Sequence, residues 1–276
     1  MTKSLSVLSP AKLNLFLHIT GQRPDGYHEL QTLFQLLDWG DTLCFTANNS
    51  GQITLDMPDL GIPDEQNLIV RAARALPRGS RGADIRVEKR IPEGGGLGGG
   101  SSNAATTLLV LNQLWSIGLP REELMTLGRS LGADVPVFLT GKTAWAEGIG
   151  DILTPVELPE TWYFVLHPNC KVSTAEIFSN RQLTRDASAI KMAAFFEGDS
   201  HNDCEPIVRN LYPEVSKALK WLSNYGEAKL TGTGACLFTS FATKAETDVV
   251  QRELPAQWQG FVTRGVNSSP VLSALA

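Results

Sequence analysis

Pro92-Glu93-Gly94-Gly95-Gly96-Leu97-Gly98-Gly99-Gly100-Ser101-Ser102 is the stretch whose reading decides the fold. Six of the chain's 25 glycines fall between Gly94 and Gly100, a density no ordinary turn requires. Glycine costs backbone entropy, so such a cluster points to positive φ angles or to a ligand lying against the main chain. Upstream, Ile85, Val87, Lys89 and Ile91 alternate as a strand does. Downstream, Ser101, Ser102 and Asn103 are helix-capping types, and Ala104 to Trp115 is a strong helix former with an apolar face. A strand, a glycine loop and a capped helix leave free N–H groups and the positive end of a helix dipole facing an open space, which suits phosphate.

Three other readings of the stretch fit less well. A flexible linker would not sit between a strand and a helix. Gly94, Gly96 and Gly99 formally satisfy the dinucleotide pattern G-x-G-x-x-G. That fold, however, needs the helix to return to a parallel strand ending in an acid, and here a second helical segment follows, Pro120 to Leu131. The P-loop pattern fails because Gly100, before Ser101, stands where Lys belongs.

Composition narrows the class. The 276 residues predict one large or two ordinary domains, with 42% hydrophobic and 19% charged residues, as in soluble proteins. A net charge of −5 argues against a nucleic-acid face and against attachment to an acidic membrane. Cys44, Cys170, Cys204 and Cys236 show no C-x-x-C spacing, which suits buried thiols in a reducing compartment better than disulfides or zinc. The chain reaches Pro10 before a signal-like apolar core could form, and no apolar run is long enough to span a membrane. A cytoplasmic enzyme is the expectation.

Along the chain, Leu13, Leu15, Leu17 and Ile19 fall on one face of a strand, with Lys12, Asn14, Phe16 and His18 on the other. The apolar face reads as core, so Lys12 and Asn14 project together from the opposite side. Arg23-Pro24-Asp25-Gly26 is a turn that delivers Tyr27 and His28 to the next segment. Strands are expected at 33–37, 42–46 and 53–55, and Asn67 caps a helix reaching Leu76. Gly132 ends the helix after Pro120, and Ala133-Asp134-Val135-Pro136 restarts the chain in a new direction. A soft boundary lies near Pro159. Beyond it, strands at 163–166, 236–241 and 261–264 alternate with helices at 174–179, 189–197, 206–212, 214–225 and 244–254, around a small sheet of their own.

A glycine cradle holds phosphates but transfers nothing; transfer also needs charge neutralisation and an oriented hydroxyl. Lys12 alone reads as a solvated lysine, but the polar pair it makes with Asn14 opposite an apolar stripe marks it as a candidate cation. Asp134 reads either as a helix N-cap, given Pro136, or as a base. Thr231-Gly232-Thr233-Gly234 is either a strand-entry turn or a close approach to substrate or to the first glycine loop. His18, His28, His167 and His201 lack metal-ligand spacing, and no G-x-S-x-G elbow supports a hydrolase.

Taken together, Pro10-Ala11-Lys12-Leu13-Asn14, Gly95 to Ser102 and Thr231-Gly232-Thr233-Gly234-Ala235 resemble the three motifs of the GHMP small-molecule kinase superfamily. Gly21 to His28, Leu131 to Pro136, Ala146 to Gly150 and Val266 to Pro270 resemble the branch of it that acts in the non-mevalonate isoprenoid pathway. The resemblance implies an α+β, two-lobed architecture. Residues 1–158 would form an ATP-binding lobe like ribosomal protein S5 domain 2, and residues 159–276 a ferredoxin-like lobe contributing to the substrate site. It implies ATP against Pro92, Glu93, Gly94, Gly95, Gly96, Leu97, Gly98, Gly99, Gly100, Ser101 and Ser102. Asp134 would be the acid/base group and Lys12 its cationic partner. Tyr27 and His28 would read the cytosine of a cytidine-diphosphate-linked methylerythritol, with Phe178 stacking and with Asn14 and Thr174 near its sugar–diphosphate portion. Members often carry Asp where this chain has Asn103, so Mg²⁺ is expected to take most of its ligands from phosphates and water. No protein metal-ligand set, nucleic acid or membrane partner is expected, and the chain would work as a monomer or homodimer. Kinases of mevalonate, phosphomevalonate or homoserine would share the cradle but have no use for Tyr27 and His28. A non-catalytic ATP-binding regulator would give no reason for Lys12 and Asp134 to occur together.

Overall fold

The computed structural model describes residues 4–198 and 200–276. The first lobe runs β1 (Ser4–Gln22), β2 (His28–Asn48), β3 (Ile53–Asp56), α1 (Leu68–Ala75), β4 (Gly82–Glu88) and α2 (Gly99–Leu114). It continues through α3 (Arg121–Leu131), α4 (Val135–Thr140), β5 (Ala144–Glu147) and β6 (Ile152–Pro155). The second holds β7 (Trp162–His167), α5 (Thr174–Ser179), α6 (Met192–Phe196), α7 (Glu205–Leu211) and α8 (Pro213–Leu222). It ends with β8 (Lys229–Leu230), β9 (Leu237–Phe241), α9 (Lys244–Glu253), β10 (Gln259–Val266) and α10 (Pro270–Leu275).

Strand β2 organises the first lobe. It pairs antiparallel with β1 over nearly its full length, and also with β4 at Thr42–Asn48 and with β5 at Thr32–Phe34. In the second lobe the strands lie in the order β10-β7-β9-β8, all antiparallel, with helices after β7 and after β9. That is the βαββαβ arrangement of a ferredoxin-like fold, so the α+β, two-lobed expectation holds. The second sheet is not separate, however: Gly265 and Val266 of β10 pair with Leu37 and Leu36 of β2. Gly265 permits this crossing, because a Cβ there would lie 2.8 Å from a Gln35 side-chain carbon and 3.0 Å from the Tyr163 ring.

Strand β1 departs from simple alternation for a covalent reason. Pro10 has no N–H to give a ladder, and the register slips between Pro10 and Lys12. The N–H of Lys12 then reaches Leu97 O at 3.1 Å, in the glycine loop. A second slip between Asn14 and Leu17 sends Leu17 and Ile19 into the core of the second lobe, whereas Leu13, Leu15 and Phe16 pack between the lobes. The face carrying Lys12, Asn14, Phe16 and His18 is therefore not solvated; all four are buried.

Elsewhere the boundaries move where side chains claim the backbone. The strand expected to reach Ile91 stops at Glu88, because the N–H groups of Arg90 and Ile91 donate to Asp41 Oδ1 at 2.7 and 2.9 Å. Helix α2 starts at Gly99 rather than at the serines. Ser102 instead donates its hydroxyl to Pro10 O at 2.6 Å, inside the first turn, and pins the helix to β1. Helix α6 is shorter than the expected 189–197, since Ala187 N donates to Ile19 O and Ile190 N to Gln31 Oε1, which straps the preceding chain across β1 and β2.

Asp41 closes the frame. Its fully buried carboxylate accepts from Lys89 Nζ at 2.6 Å and Asn103 Nδ2 at 2.9 Å, besides the two backbone N–H groups. These donors lie on both flanks of the glycine loop, so one side chain of β2 holds both its ends. Removing it strands a partly buried ammonium and several buried donors, a loss of about 3–5 kcal/mol. Asp41→Ala should show this as a lower urea midpoint at unchanged m-value. A shift equivalent to less than about 1 kcal/mol would mean the carboxylate is not the clamp.

Candidate active site

The glycine loop forms one wall of a cleft of about 1060 Å³ between the lobes. Gly94, Gly96 and Gly98 have φ of 63°, 72° and 73°, and this alternation turns successive N–H groups to one side. Gly98 is the N-cap of α2 and offers no side chain, while the first intrahelical bond runs from Ser102 N to Gly98 O. The N–H groups of Gly99, Gly100 and Ser101 are therefore the orphan donors of a four-turn helix. A Cβ on Gly98 would sit 2.9 Å from the Phe138 ring and 3.2 Å from Lys12 Cε. Residues 92–101 line the cleft, but Ser102 does not; it is buried behind the loop against Ser9 and Pro10.

The second glycine loop packs directly on the first. Ala235 N donates to Gly94 O at 2.8 Å, Cys236 N to Gly95 O at 3.1 Å and Thr231 Oγ1 to Gly96 O at 3.3 Å. A Cβ on Gly96 would collide with the carbonyl oxygen of Thr231. Both readings of Thr231-Gly232-Thr233-Gly234 hold: it is the turn between the antiparallel strands β8 and β9, and it lies against the first loop.

Lys12 and Asp134, far apart in sequence, meet at the floor. Lys12 Nζ lies 3.5 Å from Asp134 Oδ2, 2.5 Å from Asn14 Oδ1 and 2.9 Å from Gly96 O, with the Phe34 ring centroid 5.4 Å away. Lys12 is 3% exposed, whereas the Asp134 side chain is 36% exposed and faces the cleft. Asp134 holds the N-cap position of α4 without making a capping bond, which leaves its carboxylate available. Asn14 spends its amide on Thr32 Oγ1 at 3.0 Å and its backbone N–H on Thr231 Oγ1 at 2.9 Å.

The same cleft is lined by Tyr27, His28, Thr174 and Phe178. Tyr27 is exposed on the tip between β1 and β2, and the His28 ring stacks on Phe178 with centroids 5.0 Å apart and planes at 27°. Thr174 Oγ1 is 2.9 Å from Thr233 Oγ1, linking α5 to the second glycine loop. His28 Nε2 faces Arg185 Nε at 3.2 Å. Burial, and then the neighbouring guanidinium, hold its pKa below the ordinary histidine value.

Several contributors were not legible beforehand. Met57, Leu60, Ile62, Leu68 and Ile69 make an apolar wall beyond the glycine loop, yet they come from a loop and a helix start that looked ordinary in sequence. Asn202 accepts from the α7 N-cap residue Cys204 at 2.9 Å and donates to Leu230 O at 2.9 Å and Gly232 O at 2.8 Å, so it props the second glycine loop. Asp41 and Arg185 carried no signal beyond their charge.

Comparison with known proteins places these features in a family. Residues 67–142 match the GHMP kinases N terminal domain and residues 183–260 the GHMP kinases C terminal domain. Two relatives bear the name 4-diphosphocytidyl-2-C-methyl-D-erythritol kinase. The protein from Pseudomonas aeruginosa is 57% identical over 98% of this chain and 96% of its own length. That from Hahella chejuensis is 52% identical over 99% and 97%. A crystal structure of 4-(cytidine 5'-diphospho)-2C-methyl-D-erythritol kinase superposes with a TM-score of 0.82 at 32% identity, covering 95% of this chain and 99% of that one. Homoserine kinase from Cytophaga hutchinsonii shares the fold alone, with a TM-score of 0.66 at 18% identity.

The lowered pKa of His28 makes the ring neutral at pH 7. A base whose pKa is lowered by folding binds fewer protons in the native state, so its contribution to stability falls as pH drops below about 6.5 towards the folded value. NMR titration of His28 should give a midpoint below that of free histidine. A midpoint at or above it would contradict the burial and the Arg185 contact.

Proposed function

The chain belongs to the 4-diphosphocytidyl-2-C-methyl-D-erythritol kinase family of GHMP kinases, and on that premise we propose that it transfers the γ-phosphoryl group of ATP to the 2-hydroxyl of 4-diphosphocytidyl-2-C-methyl-D-erythritol. The products are ADP and the phosphorylated diphosphocytidyl-methylerythritol, an intermediate on the way to isoprenoid precursors. The observation that carries this reading is the 3.5 Å approach of Lys12 to Asp134 in a cleft lined also by the glycine loop and by the aromatic residues Tyr27, His28 and Phe178.

Division of the cleft supports it. The apolar wall of Met57, Leu60, Ile62, Leu68 and Ile69 suits the adenine, and the loop amides from Gly94 to Ser101 suit the phosphates. Residues 1–158 supply all of this, together with Lys12, Asp134, Tyr27 and His28, and residues 159–276 add Thr174, Phe178 and the second glycine loop. Tyr27, His28 and Phe178 take the cytosine. Asn14 and Thr174 lie along the path to the sugar and diphosphate.

Transfer passes through a loose transition state, in which positioning and charge matter more than prior deprotonation of the acceptor. A carboxylate is far too weak a base to strip an alcohol outright. Asp134 instead aligns the hydroxyl and receives its proton as the new P–O bond develops. Lys12 offsets charge on the migrating phosphoryl group, and its tethers to Asn14 and Gly96 hold the ammonium before substrate arrives. Among the described residues no three His, Cys, Asp or Glu side chains cluster as a metal cage. Mg²⁺ takes only one or two protein oxygens and otherwise phosphates and water, so two oxygens lining the cleft suffice. Ser101 and Asp134 are the protein oxygens that would hold it, while Glu93 is occupied by Lys171 at 2.8 Å. When bound, Mg²⁺ neutralises phosphate charge.

Among the described residues no helix is long and apolar enough to cross a membrane, and all four cysteines are free thiols, which suits a reducing cytoplasm. One chain furnishes every group named, so the reading needs no partner subunit.

Measuring ADP release with the cytidine-linked acceptor beside mevalonate and homoserine tests the assignment; turnover of either of the latter in preference would overturn it. Asp134→Asn should retain ATP binding and lose about 10²- to 10⁴-fold in kcat, and near-normal turnover would remove Asp134 from the mechanism. Tyr27→Ala should raise the acceptor KM by about tenfold or more and leave that for ATP largely unchanged. An equal rise in both would count against the cytosine position.

A further inference from the structure

Thr231 is fully buried and, unlike Gly232 and Thr233 beside it, does not line the cleft. Its hydroxyl nonetheless sits between the two groups that tether Lys12. It accepts from Asn14 N at 2.9 Å and lies 3.3 Å from Gly96 O. Lys12 Nζ in turn donates to Asn14 Oδ1 at 2.5 Å and to the same Gly96 O at 2.9 Å. The Thr231 backbone is fixed by its own turn, its N–H donating to Cys236 O at 3.1 Å and its carbonyl accepting from Gly234 N at 2.9 Å. A closed turn of the second lobe thus presents one hydroxyl to a strand and a loop of the first.

The chemistry of the contact fixes its direction. A backbone N–H only donates, so Asn14 occupies a lone pair of Oγ1, and the single hydroxyl hydrogen goes to Gly96 O. A carbonyl oxygen has two lone pairs, and that of Gly96 serves both Lys12 and Thr231. The side-chain amide of Asn14 is held separately by Thr32 Oγ1 at 3.0 Å, so what Thr231 adds is the position of the Asn14 backbone. We propose that Thr231 is a positioning residue whose hydroxyl sets Lys12 for phosphoryl transfer, by fixing both oxygens to which the ammonium is tied. The proposal rests on the role given to Lys12 above. Because Thr231 lies behind the cleft lining, its effect is transmitted through the ammonium. A displaced ammonium offsets less of the charge on the migrating group, so turnover falls. The nucleotide grip persists, since Ala235 N to Gly94 O and Cys236 N to Gly95 O still hold the two glycine loops together.

Thr231→Val replaces the hydroxyl by a methyl group of similar size, and Thr231→Ser keeps it. Assayed at a temperature where each is folded by circular dichroism, Thr231→Val should lose about 10- to 100-fold in kcat. Its KM for ATP and for the acceptor should stay within about threefold of the parent, and Thr231→Ser should restore kcat to within about threefold. In a Lys12→Met background Thr231→Val should cost less than about twofold, since the group it positions is gone. A substrate-free arm reads the ammonium directly. In ¹⁵N-labelled full-length protein the Lys12 ammonium signal, assigned by its loss in Lys12→Met, should be visible in the parent and in Thr231→Ser, and lost to water exchange in Thr231→Val. Parent-like kcat in Thr231→Val overturns the proposal, and so does an equal loss in the two Lys12 backgrounds. An ammonium signal absent from the parent, or unchanged in Thr231→Val, overturns it as well. Should Thr231→Val not fold, the parent decides: its Thr231 hydroxyl proton should exchange slowly with water, and fast exchange overturns the proposal. Absence of turnover in the parent would sink the functional reading, whereas the ammonium signal tests the tether with no substrate present.

Discussion

Burial of one ammonium group constrains the whole site. Lys12 is withdrawn from water, and a charge in that position is tolerated only when its donors are satisfied and an opposite charge stands near. Its partners come from three places: Asn14 two residues along β1, the carbonyl of Gly96 in the glycine loop, and Asp134 at the start of α4. Satisfying the lysine therefore brings together the strand, the loop and the helix start. The same arrangement that makes the buried cation tolerable sets it beside a carboxylate at the cleft, as the proposed phosphoryl transfer requires.

The seam between the lobes does comparable work for the ligand-binding walls. The backbone of the second glycine loop lies so close to the first that only glycine fits at position 96. Asn202 holds the second loop from behind, and β10 runs from the second sheet into β2. The strap carrying Arg185 crosses β1 and β2 from the other lobe. These contacts explain why aromatic residues from both lobes can line one cleft with a glycine loop belonging to one. Rigidity at the seam is what a reaction governed by alignment needs.

The parts of the site legible in the sequence were those with a dense or repeated signature. Glycines 94 to 100 are too crowded to be incidental, and their strand–loop–helix setting was readable from alternation and capping types. Lys12 and Asn14 stood out only as a polar pair opposite an apolar stripe. The pair does share a face, but the face is buried, because the slips at Pro10 and after Asn14 redirect β1 and the second lobe covers it. Asp41, Asn202 and Arg185 left no trace because each acts as a lone side chain bonding backbone or a distant partner. No local pattern encodes a contact across some fifty residues such as Asp41 to Ile91.

What the chain's order of residues determined by itself was local: where strands and helices form, where glycine must stand, and which polar groups share an element. Those properties follow from steric and hydrogen-bonding preferences acting over a few residues. Tertiary structure alone decided that Lys12 meets Asp134, that the two glycine loops touch, and that His28 lies between Phe178 and a guanidinium. Each of these joins segments distant in the chain, and their separation is set by how the two cores pack, a collective quantity that no single stretch of sequence contains.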